Sequence, residues 1–508
     1  MTESEVLAEE ATDGPIEEGG TFAGDVLKLA GGITLAQALS VLVAPILSRL
    51  YAPDAFGTAA VFNSISLIVG VLACLRYELS IMLPERDEDA ANLLAGSLAF
   101  VFAVAGLSAV LIVFVRGPII RLLNVPDLAP YLWLVPLVIL ANGLFLAMNY
   151  WTSRKKEFGR LSIVRMFQSA TTNGAKVGIG VAGQTHAGGL IGSTALGSAV
   201  ATTMLGGRIW RDDRRFFMRS VKWRHVLAGL KRHRKFPLFD VPSALLNTIS
   251  WQLPALLLSA FFSSTVVGYH AIGMRVVYLP MSLVGSAVAQ VFFQRAAEAK
   301  IKGDLSHVVE NVFQQLVVLG LFPLLVLTVA GKDIFAVVFG GRWSEAGVYA
   351  QILSPCMFLV FTSSPMSTFL RVLERQQTAF YLNSVIFSSR FLSLVIGGYL
   401  GDARIALCLF SVSGALVYGW YTLYILSLAG VSRRHSFTTL LRYVLYAMPG
   451  LAILLGSQLL SVSPTVVTSI AVLLVLGYET AFVFRNAEMI ALVQRISHRH
   501  VADGSREL

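Results

Sequence analysis

From Val26 to about residue 485 the chain alternates between apolar runs of about 20 residues and short polar connections. At 1.5 Å per residue, such a run is what a helix needs to cross roughly 30 Å of hydrocarbon. The pattern predicts spans near 26–50, 56–82, 91–115, 131–152, 163–182, 186–206, 238–262, 270–293, 312–330, 347–370, 380–400, 404–426, 440–461 and 464–485, fourteen in all. The fifth is unusual, because Thr171-Thr172-Asn173-Gly174-Ala175-Lys176 is polar for a helix that faces lipid. Such a span survives when it faces a bundle interior or a wet cavity. Before the first span the pattern is broken by Glu3, Glu5, Glu9, Glu10, Asp13, Glu17, Glu18 and Asp25, with no Lys or Arg among the first 25 residues. A signal peptide would need a basic start and an apolar stretch there. Residues 1–25 read instead as an acidic disordered tail that stays in the cytoplasm.

Composition agrees. Of 508 residues 55% are hydrophobic and only 14% charged, where a soluble chain is usually about a quarter charged. The mean hydropathy is +0.69. A soluble enzyme, a disordered chain and a secreted disulfide scaffold are all excluded, and the expected class is an all-α polytopic membrane protein. Cys74, Cys356 and Cys408 each lie in an apolar run and form no metal cluster or disulfide framework.

The net charge of +10 points to orientation, since nucleic-acid binders cluster their cations on a polar domain. With both termini cytoplasmic, 30 Lys and Arg fall on the inner side, 6 on the outer side and 4 within spans. That asymmetry recurs loop after loop and is the one expected of an inner-membrane, multi-pass protein. The largest inner connection, 208–237, mixes eleven basic residues with Trp210, Phe216, Phe217, Trp223, Leu227 and Leu230. It reads as a basic amphipathic linker on the inner membrane face, a topology-fixing hinge or a lipid-binding element.

This linker separates two halves, 26–207 and 238–430, which are followed by a helix pair at 431–485 and a cytoplasmic tail at 486–508. The halves share a weak repeat at an offset of 211: Ser48 to Gly57 matches Ser259 to Gly268. In each copy a helix ends on aromatic residues, turns, and re-enters at a glycine. Both copies start on the inner side, which makes them parallel repeats about an axis along the membrane normal. Pro45, Pro136, Pro242, Pro254, Pro280, Pro323, Pro355, Pro365 and Pro449 inside the spans fit helices that bend as lobes rock.

The chain has no HExxH, GxSxG, CxxC or Walker motif, so neither a hydrolytic or metal site nor an ATP engine is visible. His186 and His270, near outer span ends, read as interfacial. The informative residues are cations at membrane depth, each expensive unless it faces protein or water. They are Arg390 in the middle of span eleven, Arg275 in span eight and Lys176 in span five, with Arg49 ending span one and Arg76 near the inner end of span two. Acids are scarce there: Glu78 and Asp240 are the candidates for coupling to a proton or sodium gradient. Unpaired cations in a cavity suit an anionic cargo, and the guanidinium fork suits phosphate.

Taken in order, several stretches carry a resemblance. The first half has Ala36-Gln37, Ala44-Pro45-Ile46-Leu47-Ser48-Arg49-Leu50-Tyr51, Pro53, Phe56-Gly57, Leu75-Arg76-Tyr77-Glu78 and Leu83-Pro84. The second has Phe236-Pro237-Leu238, Pro242-Ser243-Ala244-Leu245-Leu246-Asn247, Gln252-Leu253-Pro254 and Val267-Gly268-Tyr269. Arg275, Leu279-Pro280, Gln290-Val291-Phe292-Phe293 and Ala296-Ala297-Glu298 follow. Together they resemble the bacterial polysaccharide transporters, the O-antigen and exopolysaccharide flippases of the multidrug/oligosaccharidyl-lipid/polysaccharide exporter superfamily.

The resemblance implies two six-helix lobes in a V-shape around a central cavity, with two C-terminal helices appended. It also implies export of an oligosaccharide joined by pyrophosphate to a polyprenyl carrier, without a cofactor, in a membrane shared with polysaccharide polymerase machinery. On that expectation Arg275, Arg390 and Lys176 contact the anionic head, Arg49 serves the outer gate and Arg76 the inner gate. A drug/cation antiporter of the same superfamily would carry buried carboxylates where this chain carries cations. A membrane-embedded polymerase would need a larger outer loop than any here.

Overall fold

The structure, a computed structural model, describes residues 22–483 apart from 286–287, 290–291, 293–294, 297–298, 300–304 and 374. Most of the acidic tail, the C-terminal tail 486–508 and parts of the Gln290–Glu298 stretch lie outside those residues. Everything described is helix, turn or loop, with no strand. The first lobe is built from α1 (Phe22–Leu50), α2 (Pro53–Gly70), α3 (Asp87–Leu123), α4 (Val135–Arg154), α5 (Phe158–Val181) and α6 (Ala187–Ser220). A short α7 (Trp223–Arg232) leads to the second lobe: α8 (Val241–Phe261), α9 (Ser264–Val277), α10 (Leu305–Val338), α11 (Ser344–Met366), α12 (Gln376–Tyr399) and α13 (Ala403–Leu428). Finally α14 (Arg433–Leu459) and α15 (Pro464–Val483) pack on α10, where Phe322 stacks on Tyr478 at 4.5 Å between ring centroids.

Every predicted span coincides at least in part with a helix, and ten helices among the described residues are long and apolar enough to cross a membrane. The four predicted spans outside that set belong to α1, α2, α5 and α9, and the last three have a physical reason. Within the 29 residues of α1, Thr34–Leu50 is an apolar stretch, and the side chains of residues 22–33 lie outside the described residues. The second predicted span is broken: α2 stops at Gly70, and the chain turns through 71–76 into a 3-10 segment, Tyr77–Met82. Leu75 and Arg76 are both left-handed there (φ 48° and 64°), a conformation that non-glycine residues adopt only when their surroundings impose it. The fifth carries the polar run, and α9 ends at Val277 before a π-turn at Met281–Gly285. Helices with polar faces fall short of a lipid-facing composition because they look inward. Pro136 and Pro242 lie in the first turns of α4 and α8, where proline continues a helix without bending it.

The repeat is visible in three dimensions. α2 and α9 cross so closely that a β-carbon on Gly57 would lie 1.6 Å from the Ser264 carbonyl oxygen, and one on Gly268 would lie 1.8 Å from the Pro53 oxygen. Pro53 and Ser264 are themselves 211 residues apart, so the contacts are reciprocal, as a two-fold axis along the bundle requires. Glycine is needed at both positions because two backbones touch there, the small-residue packing that membrane helices use in place of a hydrophobic drive.

Candidate functional site

Around this crossing the lobes are sealed. The Trp343 ring, fully buried, meets Phe56 edge-on at 5.2 Å and Tyr269 at 6.1 Å. Trp343 Nε1 donates to the Ser48 carbonyl at 2.8 Å, and Arg342 Nη2 donates to the carbonyls of Ser48 (2.6 Å) and Arg49 (2.7 Å). At this end Arg49 therefore contributes its backbone; its side chain is exposed and lines neither cavity described below. At the opposite end Tyr77–Met82 touches Phe236–Asp240. Among the described residues, four of the five predicted cations line one or other of two cavities in the bundle.

The smaller, about 490 Å³, is walled by α1, α5 and α6 of the first lobe together with Arg275 from α9. Lys176 and Arg275 line it, joined by Arg165, which charge counting alone assigns to a connecting loop. Position explains the difference: Arg165, Gln168, Thr172 and Lys176 recur on one face of α5, three turns of polar stripe. That face also carries Asn173, whose Nδ2 donates to Ser40 Oγ at 3.0 Å, and Ser169, whose Oγ donates to the Ala36 carbonyl at 2.8 Å. The polar run of the fifth span is a cavity wall. Arg275 Nη2 donates to the Ser40 carbonyl at 2.6 Å, and Arg165 lies over the Phe145 ring at 4.5 Å. No ion pair among the described residues neutralises any of these three cations.

The larger cavity, about 800 Å³, is lined mostly by α8, α11, α12 and α13, with Val71 and Arg76 from the first lobe. It brings together Arg76, Asp240 and Arg390, and offers Asn247, Trp251, Tyr278, Phe380, Asn383 and Tyr418 beside them. Arg390 is 3% exposed yet has no carboxylate partner among the described residues. Its Nη1 donates to the carbonyl (3.3 Å) and Oγ (3.2 Å) of Ser250, and its Nη2 to the Tyr418 hydroxyl at 3.0 Å. The guanidinium also lies 4.5 Å from the Trp251 ring centroid, with Phe410 and Tyr418 at 5.7 and 5.9 Å. A buried cation held by dipoles and π-faces keeps its positive field, which a carboxylate would cancel.

Glu78 is buried against Arg76 at 3.6 Å, with its Oε2 and the Arg76 Nε both lacking a partner. It lines neither cavity. His270, expected at the interface, is buried instead, and His186 is exposed at the start of α6. The five predicted cations are thus distributed: Lys176 and Arg275 in one cavity, Arg76 and Arg390 in the other, Arg49 at the sealed end.

Two lobes of membrane-spanning helices around polar cavities define a polytopic membrane protein of transporter fold. The chain belongs to the polysaccharide biosynthesis protein family, whose profile matches residues 46–348. It is 25% identical over 206 residues to the teichuronic acid biosynthesis protein TuaB of Bacillus subtilis (strain 168); the match takes in 40% of this chain and less than half, 43%, of that protein. Its fold is similar to that of the lipid II flippase MurJ in an inward closed conformation, with a TM-score of 0.69 at 13% identity over 89% of this chain and 99% of that one. An inward-facing multidrug resistance MATE transporter of the MOP superfamily superposes with a TM-score of 0.55 at 14% identity, covering 80% of this chain and 95% of the other. A mutant of the Vibrio cholerae MATE transporter VcmN gives 0.53 at 12% identity, with coverage of 80% and 95%.

Proposed function

We propose that this chain is an inner-membrane flippase that moves a polyprenyl-pyrophosphate-linked oligosaccharide from the cytoplasmic to the periplasmic leaflet for polysaccharide assembly. The observation that carries the reading is the pair of bundle cavities in which, among the described residues, Arg165, Lys176, Arg275 and Arg390 have no ion-pair partner and Asp240 is the one carboxylate in the lining. A pyrophosphate entering there meets Arg165, Lys176 and Arg275 in a medium where water screens little. The names of the flippase with this fold and of the Bacillus subtilis relative, for lipid II and for teichuronic acid biosynthesis, point the same way. With the basic loops cytoplasmic, the Gly57–Gly268 end faces the periplasm and is shut, and the turn carrying Arg76 faces the cytoplasm. Transport then requires the periplasmic seal to open as the cytoplasmic end closes. The drive comes from a proton or sodium gradient acting through Glu78 or Asp240, or from removal of the exported glycan by polymerase machinery.

The test is accumulation of carrier-linked glycan on the cytoplasmic face of a deletion strain, followed by complementation. Arg275→Ala and Arg390→Ala should each lower export at unchanged protein level. Full export from both would overturn the cationic-cavity reading.

A further inference from the structure

The linker between the lobes holds cations that the proposed transport cycle does not use. Lys222, Arg224, Lys231, Arg232, Arg234 and Lys235 are all exposed, and none is ion-paired among the described residues. The neighbouring basic turn behaves differently: Arg154 is paired with Asp87, Lys155 with Asp213, and Arg160 with Asp212. Those acids are consumed locally, which leaves the linker's charge unopposed. Burial and Arg232 hold the His233 imidazole below its ordinary value, so this charge belongs to groups that stay protonated.

Interleaved with the cations are large exposed apolar groups: Trp223 at 67%, Leu227 at 48% and Phe239 at 71%. The opposite side of α7 is docked. Val226 is buried, a β-carbon on Gly229 would meet the Leu93 side chain at 3.2 Å, and one on Gly96 would meet Leu230 at 3.0 Å. Tyr77 Oη donates to the Leu230 carbonyl at 3.1 Å. Tyr77 follows Arg76 in the left-handed turn, and just past α7 the segment Phe236–Asp240 touches Tyr77–Met82. One face of α7 therefore grips the turn that carries a cavity residue, and the other presents aromatic, aliphatic and cationic groups together.

We propose that the exposed face of α7 and its flanks is a docking surface for the anionic phospholipid headgroups of the inner leaflet, and that lipid engagement there sets the position of the Arg76 turn and so the access to the larger cavity. Charge complementarity and exposed apolar rings beside cations are the signature of a helix lying at a bilayer surface. The docking does not depend on the proposed cargo; only the word access rests on that reading.

Two measurements on the full-length protein in proteoliposomes separate these points. Tryptophan fluorescence quenching by dibrominated phosphatidylglycerol should exceed quenching by dibrominated phosphatidylcholine, and Trp223→Phe should remove the excess. Neutralising Lys231, Arg232, Arg234 and Lys235 to Gln should equalise the two lipids. Equal quenching in the wild type, or an excess that survives neutralisation, would overturn the lipid surface, including in favour of an acidic protein partner. Cavity access is read by an impermeant maleimide on Ser243→Cys, a cavity-lining position, in a Cys408→Ser background. The labelling rate should change at least about threefold between vesicles with and without phosphatidylglycerol. Tyr77→Phe should abolish that change and keep the quenching excess. A rate indifferent to lipid in the parent protein would overturn the coupling while leaving the flippase reading in place, because that reading is tested by export.

Discussion

Arg275 Nη2 crosses the boundary between lobes to the carbonyl oxygen of Ser40 at 2.6 Å, and 211 residues earlier Ser64 Oγ crosses it the other way to Gln252 Oε1 at 2.8 Å. One repeat position makes the same kind of link twice, but only the second copy carries charge into a cavity. The two roles of Arg275, tying lobes and meeting an anion, can thus be separated. Ser64→Ala should cost about 1 kcal/mol of stability, the net worth of a neutral hydrogen bond, with export near wild type. Arg275→Ala should cost more, about 1.5–3 kcal/mol, and lose export as well. Thermal unfolding in detergent and cell-surface glycan report the two. If Ser64→Ala stops export as fully as Arg275→Ala, then lobe closure is what Arg275 provides.

At the α2–α9 crossing there is no room for a methyl group. Gly57→Ala should cost about 1–3 kcal/mol, since a contact of 1.6 Å to a backbone oxygen can be relieved only by separating the helices. Gly70→Ala is the control on the same helix, where a β-carbon meets nothing within 4 Å. It should be neutral or stabilise by up to about 1 kcal/mol. A similar melting temperature for the two variants would refute the backbone contact.

Helix existence was legible in the pattern of apolar runs, because runs of about 20 residues have few alternatives in a membrane. The repeat was legible too, at Gly57 and Gly268, although only coordinates show that these two glycines touch each other. What the pattern concealed is local. Nothing in the composition marks the break at 71–76, since Leu75 and Arg76 are not turn-forming residues and are left-handed only because packing requires it. Arg165 was hidden by its proximity to a basic turn, but its three-turn spacing from Lys176 was present in the sequence. The division of the cations between two cavities depends on lobe packing, which no single-helix pattern encodes.

On the cytoplasmic side by the proposed topology, Asp213 is 8% exposed, accepts from Trp151 Nε1 at 2.9 Å and is bound by Lys155. Asp212, one residue earlier, makes its pair with Arg160 in a more exposed setting. Asp213→Asn should cost about 2 kcal/mol, because a charged hydrogen bond is lost in a buried place. Asp212→Asn should cost less than about 1 kcal/mol. Unfolding midpoints for the pair check the ranking, and equal losses would contradict the burial of Asp213.

Arg390 tests whether charge alone or the planar fork matters. Its guanidinium uses two nitrogens for Ser250 and Tyr418 while its face rests on Trp251. A lysine keeps the charge but offers neither the fork nor the flat face, so it can satisfy only part of this site. Arg390→Lys should therefore lower export at least about tenfold, equivalent to about 1.4 kcal/mol, at unchanged protein level. Trp251→Ala should do the same through loss of the π-face, although it removes no charge. Export close to wild type from Arg390→Lys, measured beside Arg390→Ala, would show that a positive charge at this depth suffices and that the aromatic cage serves packing alone.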